Sequence, residues 1–313
     1  MDVSVIVVTY NSESCLTPCL RSVGESFSHA VQGRLYSHET FVVDNASHDG
    51  TVALVRREFQ DVRLLVNEAN RGFAAACNQG MEAGNGRYFL ILNADAHARG
   101  PALPLLASFL DGHPRAAVAS GSLVYPDDSF QHSAFRFPTL AMALLDFFPI
   151  NHRLKDSRLN GRYPRRFYDA PFAIDHPLGA CMMVRREARE LTGNMDEDFF
   201  MYCEEVDWCM RLRRAGWDVY CVPKAELVHL SGHSTLQFRE QMFVELWRSR
   251  FLLFRKHYSP AYRLGARAIV RLGMRQQLGR LQRAQRRGEV EPEQVHGYRR
   301  ARKAVLELMR HYG

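Results

Sequence analysis

The first hundred residues alternate between two hydrophobic patterns. VSVIVV (3–8), ETFVVD (39–44), VRLLV (62–66) and RYFLILN (87–93) are short aliphatic runs, as expected of strands buried on both faces. Between them, apolar residues recur at helical spacing from Ser14 to Glu25, through DGTVALVRREF (49–59), and through the Ala-rich GFAAACNQGMEAG (72–84). This βαβαβαβ order predicts an α/β fold, a mostly parallel sheet flanked by helices on both faces. Sheets of that kind bind ligands at the carboxyl ends of their strands. Three of these strands run out into polar clusters: Thr9-Tyr10-Asn11, Asp44-Asn45 and Asn93-Ala94-Asp95.

Residues 122–177 are rich in Pro, Phe, His and Arg with poor periodicity, and predict long loops carrying short elements. Order returns with PLGACMMVRREA (177–188), a strand running into a helix, and continues to WDVYCV (217–222). Beyond Phe238 the pattern is mostly helical. No internal repeat stands out. No GxGxxG follows the first strand, and neither GxxxxGK[ST] nor HExxH occurs, so dinucleotide, P-loop and zinc-protease chemistries lack their motifs.

In FFMYCEEVDWCMRLRRAGW (199–217) three acids, Glu204, Glu205 and Asp207, stand between aromatics and a basic run. Acids at a helix N-terminus complement its macrodipole. Their angular positions say more. With Glu205 at 0° and about 100° per residue, Cys209 falls near 40°, Leu212 near 340° and Trp208 near 300°, whereas Asp207 falls near 200°. Glu205 therefore projects from the apolar face, and Asp207 lies on the polar face with Arg211 four residues on as its partner. Glu204 lies between, as a cap or a second hold on Arg211. A carboxylate on an apolar face has a raised pKa, which suits a general base, although satisfying backbone donors at the helix start would serve structure alone. Asp95 in LILNADA could hold a divalent cation whose other ligands are phosphate oxygens, or be an ordinary turn residue. His229 in AELVHLSGHST is another candidate ligand or a packed histidine.

Composition narrows the class. The chain has 313 residues, 46% of them hydrophobic and 24% charged, a globular balance with ample core. Met1-Asp2 precedes VSVIVV without a basic region, so no export signal is expected. The most apolar longer stretch, LAMALLDFFPI (140–150), is short and carries Asp146, so no membrane span is expected. Seven cysteines form no CxxC pair and read as reduced core thiols of a cytosolic protein. Charge is uneven. Residues 245–313 carry 17 Lys and Arg against 5 Asp and Glu, a net +12, which leaves −5 for residues 1–244 of a chain whose total is +7. A basic tail on an acidic body points to an anionic partner.

Seven segments, in order, resemble the inverting family 2 glycosyltransferases of GT-A fold, particularly their rhamnosyltransferase-like branch. They are VSVIVVTYN, VVDNASHDGT, NRGFAAACNQG, LILNADA, PLGACMMVRREA, DEDFFMYCEEVDWCMRLRRAGW and VPKAELVHLSGHST, and they cover most of residues 3–235. The resemblance implies a catalytic domain over 1–237, with a nucleotide-binding half (1–100) and an acceptor-binding half (101–237), followed by a helical basic region (238–313). It implies that Thr9, Asn11 and Asp44 line the nucleotide pocket, Asp44 touching base or ribose, and that Asn70, Arg71 and Gly72 lie near the sugar-nucleotide. Asn93-Ala94-Asp95 stands at the DxD position, so that Asp95, completed by His229, would hold Mg²⁺ or Mn²⁺ on the diphosphate. Glu205 matches the second acid of the family's Glu-Asp pair, the base that takes the acceptor hydroxyl proton, and the surrounding aromatics would wall the sugar site. Two departures stand out: Asn93 replaces the first acid of DxD, and Glu205 stands where Asp is usual. They allow an altered acceptor geometry or a catalytically weakened nucleotide-sugar-binding protein.

The reaction implied moves a sugar, best rhamnose from dTDP-rhamnose, from a nucleoside-diphosphate sugar to a glycan or lipid-linked acceptor in cell-surface polysaccharide synthesis. A nucleotidyltransferase would share the sheet and the acidic corner, but TYNSES follows the first strand where that class carries a Gly-rich basic loop. In LWRSRFLLFRKHY and RLGARAIVRLGMRQQLGRL (within 245–287), Leu264, Ala268, Leu272 and Leu278 recur near helical spacing, with Arg263, Arg267, Arg271 and Arg275 every fourth residue. Such a helix lies on an anionic membrane or packs on the catalytic domain with a solvated Arg face. The membrane alternative places a cytoplasmic protein at the inner face of the cell membrane. No nucleic-acid motif is present, and no nucleic-acid partner is expected.

Overall fold

The computed structural model describes residues 1–148, 157–230 and 239–312. By internal packing it forms two units, one of residues 1–136, 163–200 and 204–234, the other of residues 137–162, 201–203 and 235–313.

The first unit holds strands β1 (Val3–Thr9), β2 (His38–Asp44), β3 (Arg63–Val66), β4 (Tyr88–Asn93), β5 (Ala96–Ala98), β6 (Ala116–Val124), β7 (Phe130–Gln131), β8 (Ala134–Phe135), β9 (Phe172–Ala173), β10 (His176–Pro177), β11 (Cys181–Arg185) and β12 (Asp218–His229). Its helices are α1 (Glu13–Phe27), α2 (Thr51–Glu58), α3 (Phe73–Ala83), α4 (Ala102–Gly112), α6 (Arg186–Thr192) and α7 (Glu204–Arg214), α5 (Leu140–Phe147) belonging to the second unit. The main sheet runs β3-β2-β1-β4-β11-β6-β12-β5, with β7 on β6 and β9 on β12.

β3, β2, β1 and β4 pair in parallel, as their unbroken hydrophobic runs and intervening helices require. Alternate residues of β1 face opposite sides: Val5 and Val7 join Leu16, Leu20 and Leu106 in one core, while Ile6 meets Gly80 of α3. Past β4 the sheet is mixed. β11 runs antiparallel to β4, with Cys181 opposite Leu92, so it enters the sheet at the carboxyl end of β4. β12 is parallel to β6 and extends well beyond WDVYCV, to His229. That extension carries His229 to the same end of the sheet as Asp95, because His229 pairs with Ala96 and the Leu230 N–H donates to the Asp95 carbonyl.

The 122–177 stretch has the expected short elements, four two-residue strands and α5; residues 149–156 of it, and residues 231–235 of the last motif, lie outside the described residues. In the second unit α5 packs with α8 (Arg239–His257), α9 (Pro260–Arg286) and α10 (Pro292–His311) around Phe147, Trp247, Phe254, Val270, Met274 and Val305. Ser259 caps α9, its side chain accepting from Tyr262 N–H, ahead of Pro260 in the first turn. The helix buries Ala266, Val270, Gly273 and Met274. The Leu264–Ala268–Leu272 stripe points the other way, with Leu264 68% and Leu272 61% exposed. All seven cysteines are free and buried, as expected of core thiols. Among the described residues no helix is long and apolar enough to cross a membrane.

Candidate functional site

The carboxyl ends of β1, β2 and β4 gather one set of polar residues. Thr9 stands opposite Asp44 in the β1–β2 register and donates to its Oδ2 at 3.0 Å. Ser47 donates to the same carboxylate through both hydroxyl and backbone N–H. Asp44 is fully buried, so it ties the two strand ends together rather than presenting a free oxygen. Asn11, half-buried at φ 49°, gives its N–H to Ser47 Oγ and accepts the His48 N–H on Oδ1.

A second loop meets this one. Asn45, buried beside Asp44, donates to the Gly72 carbonyl at 3.0 Å and accepts from Asn67. Asn70 turns back to accept the Gly72 N–H. Arg71 is exposed and lies 3.7 Å from Glu197. Gly72 opens α3 with φ +85°, and a Cβ there would stand 2.5 Å from the Phe200 carbonyl oxygen. That oxygen also accepts the Phe73 N–H at 2.7 Å. The absence of a side chain at Gly72 thus lets the start of α3 lie directly on the loop that leads to α7.

Asn93, half-buried at the end of β4, donates its backbone N–H to the Ala180 carbonyl and accepts Cys19 Sγ on its carbonyl at 3.5 Å. Asp95 and His229 are both buried, His229 Nε2 lying 3.4 Å from Asp95 Oδ1. The other ring nitrogen, Nδ1, is 3.0 Å from Oε1 of buried Gln131. An amide oxygen only accepts, so with Oε1 in that place Nδ1 carries the hydrogen. Nε2 is left facing the Asp95 carboxylate, an imidazole nitrogen and a carboxylate oxygen a short distance apart. That donor set fits a divalent cation. Among the described residues no group of three His, Cys, Asp or Glu side chains is placed to hold a metal ion, so a cation here would take its remaining ligands from phosphate or water.

α7 carries the three acids. Tyr202 and Cys203, just before it, both have φ near +70° (69° and 67°), a conformation that costs non-glycine residues about 1–3 kcal/mol each. Glu205 is half-buried; desolvation pushes its carboxyl up to about 7, against the pull of the Glu205 and Val206 N–H groups. Glu204 is buried, its Oε2 without a hydrogen-bond partner. Burial first, and then the Glu205 charge, drive its carboxyl well above the ordinary range. It neither caps the helix through Oε2 nor holds Arg211.

Asp207 corrects the angular reading. It does accept from Arg211 Nε at 2.8 Å, as its spacing predicts, but it is 0% exposed. The first turn of the face that looked polar is buried, because Arg211 also donates to the carbonyls of Thr192 and Asn194, while Arg214 further along it is exposed. Isolated helix periodicity assigns that face to water; the loop after α6 covers its first turn instead. Two of the aromatics are also core rather than sugar-facing: Phe199 is buried, and Trp208 is buried with Nε1 donating to the Gly193 carbonyl.

The structure therefore joins Thr9, Asn11, Asp44 and Gly72 through Asn45, and links Gly72 through Phe200 to the approach to Glu205. Asp95 and His229 form a separate pair. Ser47 and Gln131 were missed by sequence reasoning, which named Asn45 only as part of a polar strand end and Phe200 only among the aromatics before α7. Asn45 and Ser47 stand in the VVDNASHDGT segment beside Asp44; Gln131 lies in the region that carries no readable motif.

A parallel β-sheet half with polar strand ends, continued by an antiparallel strand and an acid-opened helix, defines a nucleotide-sugar transferase fold of the GT-A kind. Residues 4–192 match the family model Glycosyl transferase family 2, and the chain belongs to that family; it is a glycosyltransferase of its rhamnosyltransferase-like branch. Similar along most of their lengths are N-acetylglucosaminyl-diphospho-decaprenol L-rhamnosyltransferase of Mycobacterium tuberculosis, 28% identical over 85% of this chain and 88% of that protein, and dTDP-rhamnosyl transferase RfbF of Shigella flexneri, 23% identical over 86% and 85%. Among solved structures, the mannosyltransferase PcManGT of Pyrobaculum calidifontis, in complex with GDP-Man and Mn²⁺, shares the fold with TM-score 0.56, 17% identity and coverage of 98% of this chain and 85% of that one.

Proposed function

We propose that the protein is an inverting glycosyltransferase that transfers rhamnose from dTDP-rhamnose to a lipid-linked or glycan acceptor, in the cytoplasm at the inner face of the cell membrane, for cell-surface polysaccharide synthesis. The observation that carries this reading is Glu205: a carboxyl raised to about 7, at the first turn of a helix whose approach is tied through Phe200 and Gly72 to the polar loops at the strand ends. A pKa near the working pH is what a general base needs. The donor and acceptor classes are supported by the names of the two rhamnosyltransferase relatives.

In the reaction, Glu205 takes the proton of the acceptor hydroxyl as its oxygen bonds to the anomeric carbon. The bond from that carbon to the diphosphate oxygen breaks on the opposite face, its electron pair leaving with the diphosphate, so configuration inverts. Asn11 and the Asn70–Gly72 turn bound the nucleotide side, Thr9 and Asp44 hold that wall in shape, and Arg71 exchanges its long contact with Glu197 for a phosphate oxygen. Asp95 and His229, with Asn93 beside them, would hold Mg²⁺ or Mn²⁺, which would supply positive charge for the departing diphosphate.

Thermal melting with dTDP, UDP or GDP, with and without Mn²⁺, tests the reading on wild type and Asp95→Ala. Ligand at 100 times its dissociation constant stabilises by about 2.7 kcal/mol. A Mn²⁺-dependent shift with dTDP, absent in Asp95→Ala, is expected. Stabilisation by UDP or GDP alone would replace the donor, and none from any nucleotide would remove the transferase assignment of this site.

A further inference from the structure

The second unit leaves one face unused by its own core. At about 100° per residue, Leu264, Arg271, Leu272, Arg275, Arg283 and Arg286 of α9 share an arc of about 120°, and the buried Ala266, Val270, Gly273 and Met274 lie opposite. All six are exposed. Among the described residues the four arginines have no ion pair; the neighbouring acids go elsewhere, Glu245 to Arg248, Glu289 to Arg287, and Glu240 and Glu293 to Arg300. Apart from half-buried Gln282 within the arc, the face is cationic and aliphatic.

α5 widens it. Leu140 meets α9 at Gly265, where a Cβ would stand 3.1 Å from Leu140 Cδ1, and Phe147 fills the place of a side chain at Gly273. Seven residues of α5 thus match eight of α9, so the two helices run side by side in the same direction. Two right-handed helices in that arrangement bring Leu144 out on the same side of their seam as Leu272. Leu144 is 39% exposed.

We infer that this α5–α9 face docks on an anionic lipid bilayer, the leucines entering the headgroup boundary and the arginines meeting lipid phosphates. The inference extends the lipid-linked acceptor reading without depending on it, since binding needs neither donor nor acceptor. The chemistry favours lipid over the other polyanion, nucleic acid: the arginines are interleaved with exposed leucines, whereas single-stranded binders interleave aromatics for stacking, and the unit's Trp247, Phe251 and Phe254 are in its core.

Co-sedimentation of the whole protein with phosphatidylcholine vesicles, with and without phosphatidylglycerol, tests it. Binding is expected only to the anionic vesicles, weakening with salt, and falling about fivefold for each arginine lost in Arg271→Gln and Arg275→Gln. Leu264→Ser/Leu272→Ser should lower binding at every salt concentration. All four positions are exposed, so the melting temperature and its response to dTDP should hold in every variant, separating loss of docking from failure of the transferase reading. As a second measurement, an environment-sensitive fluorophore on Leu272→Cys should shift to the blue with anionic vesicles. Equal binding to neutral vesicles, binding indifferent to these substitutions, or capture by tRNA but not by vesicles would each overturn the inference.

Discussion

Glu205 and His229 owe their properties to neighbours that local sequence does not name. An isolated glutamate loses its proton near 4.5, and burial moves Glu205 to about 7. A base must be deprotonated to act, so transfer should rise with pH through about 7 and level off above it. Glu205→Gln should lower kcat by about 10²–10⁴-fold with KM for the donor little changed; a pH–rate profile of wild type and Glu205→Asp checks the assignment, because a limb that stays at 7 in the aspartate variant would belong to another group. For His229 the neighbour is Gln131. Losing the acceptor of the Nδ1 hydrogen frees the ring to change tautomer, and such partners commonly carry 10–100-fold in metal affinity. Gln131→Ala should weaken Mn²⁺ binding, followed by electron paramagnetic resonance in the presence of dTDP, by about that factor, and Gln131→Glu should restore most of it. Unchanged affinity would show that Gln131 does not position the ring for a cation.

The elements themselves follow from periodicity where packing and periodicity agree. β1, β2 and β4 are buried on both faces, so an unbroken aliphatic run marks each of them. α7 was legible as a helix, but not in the burial of its acids: Glu205 is half-buried while Glu204 and Asp207 are buried, and the loop after α6 covers Asp207 and accepts from Arg211. β12 was legible in two pieces, WDVYCV and the apolar run that ends at His229, but not as one strand, because Pro223, Lys224 and Glu226 break the apolar pattern where a bulge falls. The join between α3 and the loop before α7 depends on one glycine. Gly72→Ala combines φ +85° with a contact on the Phe200 carbonyl, and should destabilise the protein by at least about 2 kcal/mol in chemical denaturation, with loss of transfer from displacement of the Phe200 loop. An alanine variant as stable and active as wild type would show that Gly72 is not the point of contact.

Among the described residues, the apolar cores against the sheet are separate from the core among α5, α8, α9 and α10, which leads to a thermodynamic expectation for the molecule as a whole. Calorimetry should resolve two transitions, and dTDP with Mn²⁺ should raise only the one that belongs to the first unit. A single transition raised as a whole would mean that the cores unfold together. The grouping of residues 137–162 with the C-terminal helices was outside the reach of sequence, which sets a boundary near 237 from the change of pattern; α5 is local in neither composition nor chain position to the core it joins.

The order of strands and helices, the polar strand ends, the family, the acid-opened helix and the net charge of the C-terminal helices were all readable in the chain, because each rests on the spacing or composition of residues close together along it. Other features came only from folding. These are the burial of Asp44, Glu204 and Asp207, the partner of His229, and the outward turn of Leu264 and Leu272. Each depends on which distant segment covers a side chain or leaves it bare, and helical or strand period carries no information about a neighbour a hundred residues away.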